Sequence, residues 1–259
     1  MTAAISEPRP LRERVTPDEW AVRVDLAAAY RLVAHFGWDD VIFTHISARV
    51  PGPDEHFLIN PYGLLFEEIT ASCLVKVDLD GNVLEPTPYP INPAGFTIHS
   101  AVHAARQDVA CVMHLHTVAG VAVSTQAEGL LPLNQTAMVL SCSIGYHEYE
   151  GLALDHAERP RLVADLGQFP AMLLRNHGTL TVGRTIPSAF LNMYFLERAC
   201  AMQVATLAGG AALHRPADAV QQLVTRQAAG QVMGGLDIAD MAWAPLIRLL
   251  DRRYPGFRE

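Results

Sequence analysis

His114 and His116 are the residues whose type and spacing point most directly to chemistry. They lie in residues 109–117, where apolar and β-branched side chains dominate, a composition typical of a buried β-strand. Successive side chains of a strand point to opposite faces, so these two imidazoles share one face. Two neighbouring imidazoles on a rigid strand form half of a metal site.

The best candidate for a third ligand is His177, in the predicted turn Asn176-His177-Gly178. Eleven histidines in 259 residues make a chance His-x-His pair common, so the pair alone is weak evidence. Its place in an apolar strand strengthens it, because burying imidazoles without partners costs free energy. The alternative interpretation is a set of hydrogen-bonded core histidines without a metal.

A second histidine pair, His99 and His103, is spaced one helical turn apart and could also bind a metal. Ordinary helical amphipathicity explains that spacing about as well. Several other histidines are expected on the surface or in loops, at positions 45, 56, 147, 156 and 214.

Capping residues and apolar periodicity predict the helices and strands that position these side chains. Thr16 and Pro17 start a predicted helix over 17–36, Glu19 completes a capping box and Gly37 ends the helix. Asn92 caps a second helix that extends to about residue 106. Further helices are predicted at 118–128, 157–165, 185–208 and within 216–250, and strands at 41–50, 57–60, 73–78, 109–117, 138–142, 144–149, 172–175 and 179–182.

This irregular alternation of strands and helices, with hairpins early, predicts an α/β fold with a largely antiparallel or mixed sheet covered by helices. We expect a flexible tail over residues 1–15 and a single domain over 16–259.

Composition narrows the classes of function. A net charge of −8 and the lack of any basic cluster argue against binding nucleic acid or an acidic membrane. The sequence has no apolar run long enough to cross a membrane and no signal-peptide pattern at its start. Four cysteines without a Cys-x-x-Cys pair indicate reduced thiols, so we expect a cytoplasmic protein. Lys76 is the sole lysine, expected on a strand with its amine in solvent.

Nine blocks, taken in order, resemble the class II aldolase/adducin family, and most closely its adducin head-domain branch. They extend over about residues 20–212, and the ordered set is specific where any single block is not. The blocks are Thr44-His45-Ile46-Ser47-Ala48-Arg49, Asn60-Pro61-Tyr62-Gly63-Leu64-Leu65, Ile91-Asn92-Pro93-Ala94-Gly95-Phe96, His114-Leu115-His116-Thr117 and Leu174-Arg175-Asn176-His177-Gly178, with others at 30–38, 70–72, 74–78 and 129–132.

The resemblance implies a three-layer α/β/α fold, a homotetramer with active sites between subunits, and a divalent metal held by His114, His116 and His177. Zinc is the first expectation, with manganese or iron as alternatives, because a tri-histidine site accepts all three. In the sugar-phosphate aldolases of the family, the metal polarises substrate oxygens as a carbon–carbon bond breaks. Three neutral imidazoles leave coordination positions open for such a substrate.

The chain departs from those aldolases where they bind phosphate and move protons. Counted from the first metal histidine, their catalytic glutamate corresponds to Gly95 and their serine pair to Pro93 and Ala94. Their tyrosine acid corresponds to Gln135. A phosphorylated sugar therefore has no anchor here, and the general acid and base are unassigned.

Three hypotheses follow from the resemblance. The first is a metal-dependent lyase, of aldolase or decarboxylase type, that cleaves a carbon–carbon bond of an unphosphorylated 2-oxo, hydroxy or aromatic acid. The second is a nonheme iron oxygenase acting on an aryl-pyruvate-type acid. The third is a non-catalytic assembly module like the adducin head, against which the three retained histidines argue.

The substrate end of the site is expected to be lined by five residues besides the metal ligands. They are His45, Ser47, Asn60, Gly63 and Gln135. Arg49 either pairs with a substrate carboxylate or braces its strand, and we favour the structural role.

Overall fold

A single mixed sheet forms the centre of the protein. The computed structural model describes residues 9–140, 143–228 and 237–259. In this part of the chain, seven strands lie in the order β3-β2-β1-β4-β7-β6-β5. The strands are β1 (His45–Arg49), β2 (Phe57–Ile59), β3 (Val75–Val77), β4 (Cys111–Leu115), β5 (Ile144–His147), β6 (Ala171–Leu174) and β7 (Gly178–Gly183). The β5–β6 pair is parallel and the other pairs are antiparallel, which confirms the largely antiparallel, mixed sheet.

Helices cover both faces of the sheet, which confirms the three-layer prediction. They are α1 (Pro17–Phe36), α2 (Pro93–Ala105), α3 (Val118–Ser124), α4 (Gln135–Leu140), α5 (Arg159–Leu166), α6 (Ile186–Ala208), α7 (Asp218–Arg226) and α8 (Ile238–Arg253). Helices α1, α6 and α8 pack on one face, against Ile46 and Met113. Helices α2 and α5 pack on the other, against Val112 and Leu180. Within the described ranges, no helix has both the length and the apolar character needed to cross a membrane.

The start of α1 agrees with its capping prediction except at Glu19. Thr16 accepts the N–H of Glu19, and Gly37 ends the helix with a φ of 68°. The Glu19 carboxylate does not close a capping box, because it accepts hydrogen bonds from Arg23 (2.9 Å) and Lys76 (2.8 Å). Arg23 is fully buried and needs a counter-charge. The Lys76 amine therefore pairs with Glu19, and the prediction that it lies in solvent is wrong.

Two other predicted elements differ from the structure. Residues 138–140 belong to helix α4 instead of a strand, because the Asn134 side chain accepts the N–H of Ala137 as a helix cap. Residues 141 and 142 lie outside the described residues. Strand β1 begins at His45 instead of residue 41, since Val41 has a φ of 51° that a strand does not allow.

The predicted N-terminal tail falls mostly outside the described residues, which begin at residue 9. Within the tail, Leu11–Glu13 form one short 3₁₀ helix with no buried residue.

The hydroxyl of Tyr30 ties α1 to the two strands that lead into the histidine cluster. It is fully buried and accepts the backbone N–H groups of Ile46 (2.7 Å) and Asn60 (3.2 Å). Its own proton is donated either to the Ile46 carbonyl or to Oδ1 of Asn60. Because Ile46 lies between His45 and Ser47 on β1, this hydroxyl fixes the strand that carries both side chains.

Replacing Tyr30 by Phe leaves two buried N–H groups without their acceptor, so we expect the free energy of unfolding to fall by about 1–3 kcal/mol. Urea denaturation measures the loss. Tyr194→Phe is the matched control, because the Tyr194 hydroxyl has no hydrogen bond within the described part of the chain. Equal losses in the two variants would contradict this role of Tyr30.

Candidate functional site

The three predicted metal ligands come together at one end of strand β4. His114 is buried in β4 and His116 follows the strand end. His177 lies in the turn between β6 and β7, beside β4 because β4 pairs with β7. The turn depends on Asn176, whose φ of 56° is in the left-handed region that Asn tolerates better than most residues.

Gly178 allows the turn to approach the strand closely. A Cβ atom at this position would lie 2.5 Å from the Leu115 carbonyl oxygen and 3.1 Å from the His116 ring. Any side chain would therefore push the turn, and His177 with it, away from β4. The predicted Asn-His-Gly turn is thus required by packing as well as by backbone conformation.

The nitrogen atoms of the three histidines face a common point. One ring nitrogen from each of His114, His116 and His177 lies within 4.8 Å of the others. The Nε2 atoms of His114 and His116 are 2.9 Å apart. The His177 ring centroid is 4.7 Å and 4.9 Å from the centroids of these two rings.

Hydrogen bonds to the Nδ1 atoms of His114 and His116 determine which nitrogen of each ring carries the lone pair. Nδ1 of His114 donates to the Thr179 carbonyl (3.0 Å), and Nδ1 of His116 donates to the Asp40 carboxylate (3.0 Å). A neutral imidazole carries one N–H, so both Nε2 atoms present lone pairs. Two lone pairs at this separation repel each other unless a cation lies between them.

The electrostatics of the site favour neutral rings. Burial lowers the pKa of His114 well below its usual range, and the neighbouring His177 and His45 lower it further. Burial likewise lowers the pKa of His177 to about 4. Near neutral pH, His114 and His177 are therefore neutral and do not carry a proton that could bridge two rings. Three converging imidazoles, two of them with a second hydrogen-bond partner, are a donor set suited to a divalent metal.

The cluster opens into a cavity of about 360 Å³. Its wall combines the three histidines with apolar side chains that include Phe43, Ile98 and Leu152. Within the described residues, neither lysine nor arginine lines this cavity. The wall therefore combines the histidine cluster with apolar surface, and its described residues offer no lysine or arginine to a phosphate group.

Of the five residues predicted to line the substrate end, the structure places His45 in the cavity wall. The wall does not include Ser47, Asn60, Gly63 or Gln135. Ser47 is fully buried, and Asn60 is buried under the Tyr30 hydroxyl. Gln135 is exposed at the start of α4. Gly63 has a φ of 111° in the loop after β2, next to Tyr62, which does line the cavity.

Arg49 has the structural role that we favoured. Its guanidinium donates to the backbone carbonyls of His103 and Val109, and so braces the end of β1 against the end of α2.

His99 and His103 form a buried hydrogen-bonded chain with His45 and Ser47. Nδ1 of His45 is 2.8 Å from Nε2 of His99, and the other His99 nitrogen is hydrogen-bonded to the Ser47 hydroxyl. Oγ of Ser47 is also 2.8 Å from Nε2 of His103. Burial lowers the pKa of His45 and His99 well below the usual range, and that of His103 to about 3. These rings are therefore neutral core histidines, and His45 is not the surface residue first expected.

Sequence reasoning missed Asp40 and misplaced His147. No pattern distinguishes Asp40 from Asp39 beside it, although Asp40 accepts the His116 hydrogen bond. His147, expected on the surface or in a loop, is buried on β5 between Asp165 (2.7 Å) and Glu158 (3.2 Å). The available signal was its position on the predicted strand 144–149, where it shares one face with Gly145.

Comparison with known proteins places this site in a family. The family model described as "Class II Aldolase and Adducin N-terminal domain" matches residues 24–204. The chain belongs to the class II aldolase and adducin family. The match covers every element that carries a candidate ligand.

Proteins named as aldolases and proteins named as adducins are both similar to this chain. A Caulobacter vibrioides protein provisionally named an aldolase class 2 protein is 58% identical, over 96% of each chain. Mouse alpha-adducin is 46% identical over 73% of this chain but only 26% of the adducin. The crystal structure of an aldolase II superfamily protein from Pseudomonas syringae has a TM-score of 0.91 and 52% identity, over 96% of this chain and 100% of that one. L-fuculose 1-phosphate aldolase from Glaciozyma antarctica has a TM-score of 0.79 and 28% identity, over 91% and 92% of the two chains.

Asp40→Asn keeps the side-chain shape but removes the charge that orients His116, so we expect zinc affinity to fall by about 10-fold to 100-fold. Competition of the protein with a chromophoric chelator measures the affinity. Asp39→Asn is the matched control, since Asp39 is exposed and outside the cavity wall. Equal zinc affinity in both variants would show that Asp40 does not support the site.

Proposed function

We propose that this protein is a divalent-metal-dependent carbon–carbon lyase that acts on an unphosphorylated 2-oxo, hydroxy or aromatic carboxylic acid. Membership of the class II aldolase and adducin family supports a lyase. The observation that carries the proposal is the pair of Nε2 lone pairs of His114 and His116, which face each other at 2.9 Å with His177 beside them. A bound divalent metal supplies a Lewis acid that polarises a carbonyl or hydroxyl oxygen of the substrate.

The side chains of this chain have distinct tasks in that proposal. The three histidines hold the metal, and the Thr179 carbonyl and Asp40 keep two of them in the binding tautomer. The apolar wall, which includes Phe43 and Leu152, packs against the apolar part of the substrate. Zinc is the metal we favour, with manganese or iron as alternatives.

The substrate class follows from the charges that the cavity wall carries and lacks. In a single chain, the described residues of the wall include neither arginine nor lysine, so this wall offers a phosphate group no cationic side chain. A carboxylate and a neighbouring oxygen can instead both bind at the metal centre. Pro93 and Ala94, which begin α2, replace the serines that bind phosphate in the aldolases that this chain resembles.

A non-catalytic assembly role is the second candidate, and the 46% identity to alpha-adducin supports it. Against it stands the histidine cluster, because an assembly module needs no converging imidazole lone pairs. A nonheme iron oxygenase would use the same ligands and remains an outcome of the experiment below.

The lyase proposal predicts metal-dependent release of an aldehyde or carbon dioxide. Chelator-treated protein is reloaded with zinc, manganese or Fe(II) and incubated with a panel of hydroxy and 2-oxo acids, with products followed by NMR. We expect His177→Ala to lose metal and activity together, while the exposed-histidine control His214→Ala keeps both.

Cleavage without oxygen consumption supports the lyase. Substrate-dependent oxygen uptake with Fe(II) would favour the oxygenase. Absence of stoichiometric metal, with His177→Ala as stable as the wild type, would leave the assembly role.

We further propose that the protein is a homo-oligomer, with a tetramer expected from the family resemblance. Apolar side chains of the cavity mouth are exposed in a single chain: Phe43 (51%), Tyr149 (51%), Leu152 (75%) and Leu154 (63%). Exposed apolar patches of this kind mark interaction sites. A second copy that covers this mouth would also close the cavity against water.

Leu152→Glu places a charge in that patch, so we expect the oligomer to dissociate. Sedimentation velocity measures the change in mass. Val220→Glu on α7 is the control, because Val220 is also exposed (47%) but lies outside the cavity wall. A monomeric wild type would overturn the oligomer proposal.

A further inference from the structure

His45 is placed beside the metal ligands without being one of them. It pairs with His114 across strands β1 and β4, and the two ring centroids are 5.0 Å apart. Its side chain lines the same cavity, yet the group of ligand atoms that converge contains only His114, His116 and His177 within the described chain. His45 is therefore within reach of a substrate that the metal centre binds.

The two nitrogens of the His45 ring have different surroundings. Nδ1 is held by Nε2 of His99 at 2.8 Å. Nε2 has no hydrogen-bond partner among the residues that the structure describes, so it is the nitrogen left for a ligand in the cavity.

The backbone of α2 makes room for this ring at Gly95. A Cβ atom on residue 95 would lie 2.4 Å from Cδ2 and 2.7 Å from Nε2 of His45. These distances are too short for any side chain, so the imidazole occupies the space that a residue at position 95 would fill. This is also the position at which the resemblance places the glutamate of the aldolases.

We propose that His45 is the proton-transfer residue of this site, through Nε2, with His99 and Ser47 as the residues that position it. This inference rests on the proposed lyase function. In the cleavage of a 4-hydroxy-2-oxo acid, whose ketone can take up the electrons of the broken bond, Nε2 accepts the proton of the substrate hydroxyl. The O–H electron pair becomes the second bond of the new carbonyl group, the carbon–carbon bond breaks, and its electrons remain on the acid fragment as an enolate. The Nε2 proton then passes to the enolate carbon, so no further reactant is needed.

The buried chain behind His45 allows the tautomer that this step requires. The chain can run in two directions, and the step uses the one in which Nδ1–H of His45 donates to His99, Nδ1–H of His99 donates to Ser47, and the Ser47 hydroxyl donates to Nε2 of His103. In this arrangement every member of the chain donates to the next, and Nε2 of His45 keeps a lone pair that is not hydrogen-bonded to any described residue.

Other groups of the cavity wall are less suited to the step. The Asp40 carboxylate already accepts the His116 hydrogen bond. Tyr62 and Tyr149 line the cavity, but neither hydroxyl is hydrogen-bonded to a described residue that would take up or orient its proton. His45, in contrast, has the hydrogen-bonded chain of His99 and Ser47 behind it.

Proton exchange on pyruvate tests the inference, because loss and return of a methyl proton is the enolate half of the reaction. Zinc-loaded protein is incubated with pyruvate in D₂O, and the loss of the methyl signal is followed by NMR. We expect His45→Asn to slow exchange by about 100-fold or more with an unchanged zinc content. Ser47→Ala should lower kcat for exchange without changing KM, and His214→Gln should match the wild type.

The outcomes separate this inference from the proposed function. Exchange that persists in His45→Asn overturns the role of His45 and leaves the lyase proposal standing. Loss of zinc from His45→Asn also overturns it, because His45 would then be a ligand. If wild-type protein loaded with zinc, manganese or Fe(II) exchanges no proton of pyruvate, the role of His45 is overturned, and the lyase proposal is decided by product release from the panel of acids.

A metal-free measurement tests the packing on which the inference depends. In chelator-treated protein, we expect Gly95→Ala to lower Tm by about 2–6 °C, because its Cβ overlaps the His45 ring. In a His45→Ala background the same substitution should cost much less. Equal Tm shifts in the two backgrounds would show that His45 does not occupy this space.

Discussion

The site depends on one electrostatic constraint: two imidazole lone pairs that cannot face each other without a cation. His114 and His116 are held in this arrangement from behind, by a backbone carbonyl and by a carboxylate. Neither acceptor can donate a proton, so neither ring can turn its N–H toward the centre and remain neutral. The family relationship, the turn that carries His177 and the uncharged cavity wall are all consistent with a divalent metal at this point.

Strand order explains how distant parts of the sequence meet here. Strand β4 lies between β1 and β7, so its histidines have His45 on one side and the turn before β7 on the other. The face that carries them is the one that α2 covers, and α2 contributes His99 and His103. Two glycines, at positions 95 and 178, allow the backbone to come close to the rings.

Local patterns in the sequence predicted much of this arrangement. Period-two spacing placed His114 and His116 on one face, and capping residues located the starts of α1 and α2. The chain of His45, Ser47, His99 and His103 was missed as a unit, although each pair has the spacing that puts both residues on one face of its element. Local spacing does not show that helix α2 packs against strand β1, and this packing is what joins the two pairs.

Other parts of the site had no local signal. Asp40 is one of two adjacent aspartates, and only the fold determines which one reaches His116. The Asn60 side chain is hydrogen-bonded to the Tyr30 hydroxyl, and these two residues are thirty positions apart in the sequence. Residues 138–140 of helix α4 were predicted as a strand. The apolar residues there show no clear period, and the capping role of Asn134 was not recognised.

The most direct measurement of the central claim is X-ray absorption at the zinc edge, on protein reconstituted with one equivalent of zinc per chain. The account predicts a first coordination shell of nitrogen and oxygen with the outer-shell scattering of three imidazole rings. A zinc ion surrounded by oxygen or sulfur, with the scattering of fewer than two imidazoles, would contradict it.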